Sequence, residues 1–146
     1  MSAWLTTGDR GKLLEPQSSF SFGGGTTGGL TIDVNEHHRY QQMDGFGAAM
    51  TDSSAWLIAT KLSASQQADL LSRLFAPSAG IGLNYLRVPV GASDFSLRHY
   101  THDDTCCDLS DFSIAPDEIH RIPLLLQAKG VNPGLRLMGS PWSAPG

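Results

Sequence analysis

Apolar residues recur at helical spacing near the middle of the chain. Such a stripe is typical of a helix that buries one face, and its members are Leu70, Leu71, Leu74 and Phe75. Ser63 followed by Gln66 forms a capping box at the start of this segment, because each side chain can satisfy a backbone N–H that the helix leaves unpaired. Pro77 follows the stripe and ends the predicted helix.

Two other helices are predicted from their boundary residues. The run Thr51, Asp52, Ser53 and Ser54 consists of N-cap residue types and predicts a helix start. Pro116 precedes two acidic residues, which suits the first turn of another helix because carboxylates interact favourably with its dipole. Pro123 is expected to kink or restart this helix, and Gly130 is expected to end it.

Strands alternate with these helices. Residues 84–90, between Gly82 and Gly91, and residues 135–138 are predicted strands, and residues 40–47 form an extended segment. The order β-α-β-α-β predicts an α/β fold with a parallel sheet. Three such strands are too few for a complete (β/α)8 barrel, which takes about 250 residues. The last strand leads into Trp142 and its neighbours, as a barrel strand delivers substrate-binding groups.

The first part of the chain has a different pattern. Residues 4–7 and residues 30–34 are predicted strands, separated by a glycine-rich loop at 23–29. The loop lacks the Lys-Ser/Thr pair of a phosphate-binding loop. We therefore divide the chain into an N-terminal β segment, 1–45, and the first part of a barrel, 46–146.

Composition and charge exclude several classes of partner. The chain has 146 residues, 40% of them apolar, and a net charge of -4 with no basic run, so neither nucleic acid nor an anionic membrane is an expected partner. No apolar stretch approaches the ~20 residues of a membrane span, and the N-terminus is not a signal peptide as written. Cys106 and Cys107 are adjacent, which disfavours a disulfide between them.

Two residues at strand ends could contact a ligand. Asp94 follows the strand at 84–90, where a barrel places substrate-facing groups, although a turn or helix-cap aspartate has the same local pattern. Trp142 could stack on a sugar ring, although packing in the core is an equally ordinary use of tryptophan.

Other polar clusters have simpler explanations. Four aspartates on the loop after residue 91 are interpreted as solvated turn residues; they are Asp103, Asp104, Asp108 and Asp111. His99 and His102 lie near them, but no second ligand cluster supports a metal site. Cys106 and Cys107 have no evident activating base, and there is no Gly-x-Ser-x-Gly motif.

Several segments together resemble glycoside hydrolase family 30, the glucosylceramidase-like family. They are Tyr-Gln-Gln-Met-Asp-Gly-Phe-Gly-Ala-Ala-Met-Thr-Asp at 40–52, Gly-Leu-Asn-Tyr-Leu-Arg-Val-Pro-Val-Gly-Ala-Ser-Asp-Phe-Ser at 82–96, Tyr-Thr-His-Asp-Asp-Thr at 100–105, Ile-Pro-Leu-Leu at 122–125 and Gly-Ser-Pro-Trp-Ser-Ala-Pro-Gly at 139–146. The segments occur in the order that the family has, although His102 stands where Tyr is more usual.

The resemblance implies the N-terminal portion of a retaining β-glycosidase on a (β/α)8 TIM barrel. It also implies a side β-structure, to which residues 4–7 and 30–45 contribute strands. It implies that Asp94 and Trp142 hold the sugar, that Phe95 lies at the pocket edge and that Arg87 supports the catalytic carboxylates. It implies no cofactor and no metal. The implied substrates are β-linked glucosides or glucans, glucosylceramide among them, and the implied location is secreted or lysosomal.

The resemblance also implies that both catalytic glutamates, the acid/base and the nucleophile, lie beyond Gly146, in the remainder of the barrel. Asn35-Glu36 is similar to the pair that carries the acid/base, but it precedes the first barrel strand and is rejected. We therefore expect the 146 residues alone to be inactive. The alternatives are a non-catalytic carbohydrate-binding module and a truncated product without function.

Overall fold

The computed structural model describes residues 1–21, 23–24, 28–105 and 108–144. These residues form two compact units, Met1–Gln41 and Gln42–Gly146. No helix among the described residues is long and apolar enough to cross a membrane.

The first unit contains a short antiparallel pair of strands. Strand β1 (Trp4–Leu5) pairs with β2 (Glu15–Pro16), so the predicted strand at 4–7 is confirmed for its first two residues. A tight turn between the strands is closed by a hydrogen bond of 3.0 Å from the Thr7 N–H to the Lys12 carbonyl. The Asp9 carboxylate accepts hydrogen bonds from the Thr7 hydroxyl and the Gly11 N–H, and these bonds lower its pKa.

The predicted strands within residues 30–45 are wrong. None of these residues belongs to a strand, and Leu30, Ile32 and Val34 are between 87% and 104% exposed. The alternation of apolar residues suits a strand, but a strand also needs a neighbour to receive its hydrogen bonds and a core to cover its apolar face. This segment has neither among the described residues.

The second unit is built on a three-stranded parallel sheet. Its strands are β3 (Gly47–Ala49), β4 (Tyr85–Val90) and β5 (Arg136–Pro141), with β4 in the centre. Tyr85 lies opposite Gly47 on one side and opposite Arg136 on the other. The predicted parallel arrangement of alternating strands and helices is therefore confirmed.

The first two helices begin at the predicted caps. Helix α1 (Asp52–Lys61) has Thr51 as its N-cap, whose side chain accepts a hydrogen bond from the Ser54 N–H. Helix α2 (Ala64–Phe75) begins at the capping box, in which both reciprocal bonds between Ser63 and Gln66 are present. It ends two residues before Pro77.

The helical segment that Pro116 starts is divided in two. Helix α3 (Ala115–Glu118) ends before a break, and α4 (Arg121–Val131) follows it. Pro123 lies in the first turn of α4, where its missing N–H would have no helical partner. The prediction that the helix restarts near Pro123 is confirmed, and α4 ends one residue beyond Gly130.

The core of the second unit lies between the sheet and its helices. Leu86 of β4 packs with residues of α1, α2 and α4; the buried members of this core are Met50, Ala55, Leu71, Phe75, Leu86, Leu124, Leu125, Ala128 and Leu135. Each large apolar side chain buried in this way contributes about 1.5–3 kcal/mol. Because side chains alternate along a strand, Tyr85 and Arg87 point the other way and line an open concavity.

Candidate functional site

The carboxyl ends of β4 and β5 bring two sequence-distant loops together. The Trp142 N–H donates a hydrogen bond of 3.1 Å to the Val90 carbonyl, which continues the pairing beyond the strands. The Ser143 hydroxyl bonds to the Ala92 carbonyl. Between them, Gly91 adopts a φ of +79°, a conformation that favours glycine, and it turns the chain toward residue 94.

Asp94 and Trp142 line the same cavity, which has a volume of about 440 Å³. The walls are largely polar; the lining residues are Ala92, Ser93, Asp94, Ser96, Leu97, Arg98, His99, Trp142 and Ser143. Asp94 is exposed, and it is the one carboxylate among the described residues that line this cavity. A carboxylate and an indole in one polar cavity can accept hydrogen bonds from hydroxyl groups and stack on a ring.

Arg87 is in contact with the indole of Trp142. The guanidinium carbon lies 4.2 Å from the ring centroid, within the range of a cation–π interaction. Trp142 is 47% exposed, so it is not a core residue. The sequence predicted separate roles for Arg87 and Trp142, whereas the structure places the guanidinium of Arg87 against the indole of Trp142.

Phe95 is not among the residues that line this cavity. Its side chain is 68% exposed, while its carbonyl accepts a hydrogen bond of 3.0 Å from the Ser53 N–H. The Asp52 carboxylate accepts another from the Leu97 N–H, at 3.2 Å. The loop that carries Asp94 is therefore attached to the N-terminus of α1.

Sequence reasoning did not assign Arg98 or Ser143 to a site, and it considered His99 only as a metal ligand. All three line the cavity with Asp94. Ser143 adjoins Trp142 in sequence, and that adjacency was the one available signal for it. The positions of Arg98 and His99 depend on the conformation of the loop that carries Asp94, and no local sequence pattern predicts that conformation.

A second cavity of about 450 Å³ shares Trp142 with the first. Its walls are mainly apolar and include Val90, Leu109, Phe112 and Pro141. His102 also lines it, and its imidazole lies edge-on to the Phe112 ring with 6.2 Å between ring centroids. Trp142 therefore separates a polar cavity from an apolar one.

A buried polar cluster lies at the end of the loop that carries Asp94. The Tyr100 hydroxyl donates a hydrogen bond of 3.1 Å to Oδ1 of Asp117, and it accepts one of 3.3 Å from Nη2 of Arg121. The same Asp117 oxygen is paired with Arg121, and Oδ2 lies 3.2 Å from Nε2 of His102. Burial raises the pKa of Tyr100 to about 12.

The aspartates further along the loop behave as turn residues. Asp108 accepts a hydrogen bond of 2.8 Å from the Ser110 N–H, and bonds to Ser110 lower the pKa of Asp108. The Thr105 hydroxyl bonds to Asp111 at 2.7 Å and lowers its pKa, whereas a hydrogen bond shared with Asp111 raises the pKa of Asp103. The described residues contain no group of three or more potential metal ligands.

The remaining sequence candidates are Glu36, Cys106 and Cys107. Glu36 lies in a turn of the first unit, as predicted. Cys106 and Cys107 lie outside the described residues, as do Phe22, residues 25–27 of the glycine-rich loop and residues 145–146.

Comparison with known proteins identifies the family. Residues 43–146 match the model of the glycosyl hydrolase family 30 TIM-barrel domain. The chain is 36% identical over 140 residues to lysosomal acid glucosylceramidase of Mus musculus, a match that covers 93% of this chain and 27% of that protein. It is 39% identical over 129 residues to endo-1,6-beta-D-glucanase neg1 of Aspergillus fumigatus, covering 85% of this chain and 26% of that protein.

Solved structures agree with this match. The endo-beta1,6-glucanase BT3312 superposes with a TM-score of 0.79 and 29% identity, over 99% of this chain and 30% of that one. SrfJ from Salmonella typhimurium gives a TM-score of 0.69 and 36% identity, over 75% of this chain and 24% of that one. The chain thus spans less than a third of the length of these relatives.

The sheet and helices of the second unit are therefore part of a TIM barrel, and the predicted partial barrel is confirmed. The predicted resemblance is confirmed as well. Since the family model covers residues 43–146 of a 146-residue chain, this chain belongs to glycosyl hydrolase family 30.

Proposed function

We propose that this chain forms the sugar-holding part of a retaining β-glycosidase site. One observation carries the proposal: Asp94 and Trp142 line one polar cavity. In this reading Asp94 accepts hydrogen bonds from hydroxyl groups of the sugar, and the indole of Trp142 contacts the sugar ring. The contact with Arg87 holds that indole in place.

We propose a β-linked glucose unit as the group that the cavity binds. The support is the kind of relative that the chain resembles, since these include a glucosylceramidase and an endo-1,6-beta-D-glucanase. Both names denote enzymes that act on β-linked glucose, and they differ in what is attached to it. A secreted or lysosomal location remains a prediction.

Hydrolysis of a glycosidic bond requires more carboxyl groups than the one that the described residues contribute to this cavity. A retaining glycosidase uses two carboxyl groups about 5–5.5 Å apart, whereas Asp94 is the one carboxylate among the described lining residues. The three glutamates of the chain, Glu15, Glu36 and Glu118, are not among the residues that line it. We therefore propose that both catalytic glutamates lie outside these 146 residues and that the chain alone binds sugar without hydrolysing it.

Calorimetric titration of the purified chain with phenyl β-glucoside tests this proposal. We expect saturable binding without release of phenol, and we expect Asp94→Asn and Trp142→Ala each to weaken binding roughly tenfold, because each removes a contact worth about 1–2 kcal/mol. Asp69→Asn, at an exposed position on α2, is the matched control and should bind as the wild type does.

Three results would contradict the proposal. Binding that survives both Asp94→Asn and Trp142→Ala would mean that the sugar binds elsewhere. Phenol release abolished by Asp94→Asn would show that the chain is itself a catalyst. Absence of saturable binding would contradict both a partial enzyme site and a non-catalytic binding module. It would favour the remaining alternative, a truncated product without function.

A further inference from the structure

The loop that carries Asp94, residues 92–100, is fastened at two places. On one side it is bonded to the start of α1 through Ser53 and Asp52, as described above. On the other side its two ends are joined by a hydrogen bond of 2.9 Å from the Ala92 N–H to the Tyr100 carbonyl. The position of Tyr100 therefore determines where the loop closes.

Tyr100 is held by the side chain of Asp117. Its phenol is 7% exposed, and its hydroxyl has a carboxylate oxygen of Asp117 at 3.1 Å. His102, two residues further along the chain, places its Nε2 atom 3.2 Å from the second oxygen of the same carboxylate. Asp117 thus contacts the last residue of this loop, Tyr100, and His102 just beyond it.

Arg121 compensates the charge of Asp117 within the helical segment. It is 1% exposed, and Asp117 is 8% exposed. A buried ion pair is costly to form, and replacing it by apolar side chains is often neutral or stabilising. Two of the guanidinium nitrogens, Nε and Nη1, have no hydrogen-bond partner among the described residues. A contribution to stability therefore does not explain why the ion pair is present. Asp117 also contacts Tyr100, the last residue of the loop, and His102, which follows the loop.

We propose that Asp117 is a positioning residue for the sugar-binding loop. It acts through the Tyr100 hydroxyl, which holds the closing point of residues 92–100 and so holds Asp94 at the cavity. Asp117 does not line that cavity. Its effect on sugar binding rests on the proposed function, whereas its effect on the loop does not.

Hydrogen exchange of backbone amides separates these two effects. Tyr100→Phe removes only the hydroxyl, and we expect the Ala92 and Leu97 amides to exchange roughly tenfold faster, since one buried hydrogen bond holding the loop is lost. The amides of α2 should keep their wild-type rates, because α2 contributes no residue to this cluster. Tyr40→Phe, at an exposed tyrosine of the first unit, is the control and should change neither set.

Asp117→Asn should produce the same local effect or a larger one. If Asp117 acts through Tyr100, the double variant should exchange at Ala92 no faster than Asp117→Asn alone. If Asp117→Asn does not fold, Tyr100→Phe alone decides the question. Unchanged exchange at Ala92 and Leu97 in Tyr100→Phe would overturn the proposal, and so would an equal acceleration throughout α2, because that would mark a role in global stability.

Sugar binding provides the second measurement. The Kd for phenyl β-glucoside should rise roughly threefold or more in Tyr100→Phe, because a loosened loop must be ordered on binding. If the wild type binds no sugar but the local exchange effect is present, the proposed function fails and the positioning role stands. If the wild type binds sugar and Tyr100→Phe changes neither exchange nor Kd, the positioning role fails and the proposed function stands.

Discussion

Tyr100 shows how a single buried hydroxyl connects the site to the protein around it. It lies between the loop that carries Asp94 and the ion pair of Asp117 and Arg121. Sequence reasoning did not select it, because a tyrosine in a polar loop has no local signature of burial. Its raised pKa is the measurable consequence of its surroundings, and burial is the largest cause.

The pKa of Tyr100 predicts a loss of stability at alkaline pH. The folded protein holds this pKa at about 12, above the usual tyrosine value of 10.0. Between these values the unfolded chain releases the proton and the folded protein retains it, so stability falls as pH rises through this window. Below the unfolded pKa the contribution is fully present.

Urea unfolding at several pH values between 9 and 11.5 tests this prediction. The free energy of unfolding of the wild type should fall relative to that of Tyr100→Phe as the pH rises. Ionisation of the lysines affects both proteins and cancels in the comparison. Parallel curves for the two proteins would show that the folded state does not suppress ionisation of Tyr100.

At the scale of elements, glycine permits the closest contact between strands. A Cβ atom on Gly47 would lie 1.3 Å from the Tyr85 carbonyl oxygen, so β3 can approach β4 at this point only without a side chain. Gly130, in contrast, lies in α4 with nothing within 4 Å of such an atom. The two glycines therefore predict opposite effects of the same substitution.

Gly47→Ala should destabilise the protein by several kcal/mol, because the two strands must separate or the carbonyl must shift. Gly130→Ala should stabilise it by up to about 1 kcal/mol, because alanine has the higher helix propensity. Thermal unfolding of both variants beside the wild type measures the difference. A wild-type melting temperature for Gly47→Ala would contradict the tight pairing of β3 and β4.

The elements also show which predictions local sequence can support. The N-cap residues identified the start of α1, the capping box and the apolar stripe identified α2, and Pro123 marked the restart of α4, because each signal acts over a few turns of helix at most. Residues 30–34 had an equally clear strand pattern, and it was misleading. A strand depends on a partner elsewhere in the chain, and alternation alone cannot report whether the partner exists.

At the scale of the whole molecule, helices and strands are unevenly distributed along the chain. The described residues between β2 and β3 contain no helix or strand, and nearly all of them are exposed. Exposed backbone without regular structure is the preferred site of proteolysis. The second unit, from Gln42 onward, contains every residue that lines the cavity of Asp94 and Trp142.

Limited digestion with trypsin should therefore cut after Arg39 before it cuts after Lys61 or Arg73. Arg39 lies in the irregular segment, whereas Lys61 and Arg73 belong to α1 and α2. Mass spectrometry should detect a persistent fragment that begins at Tyr40. Initial cleavage within α1 or α2 would show that the second unit is not the more stable part of the chain.

The sequence by itself determined the family, the alternation of strands and helices, and the residues at the helix boundaries. These features depend on neighbours within a few residues, or on motifs long enough to be specific. The tertiary structure alone decided the walls of the cavity that Asp94 and Trp142 share, the contact of Arg87 with the indole, and the hydrogen bond between Tyr100 and Asp117. Each of these contacts joins residues from different elements, and parallel pairing of β4 with β5 and packing of α3 and α4 bring them together.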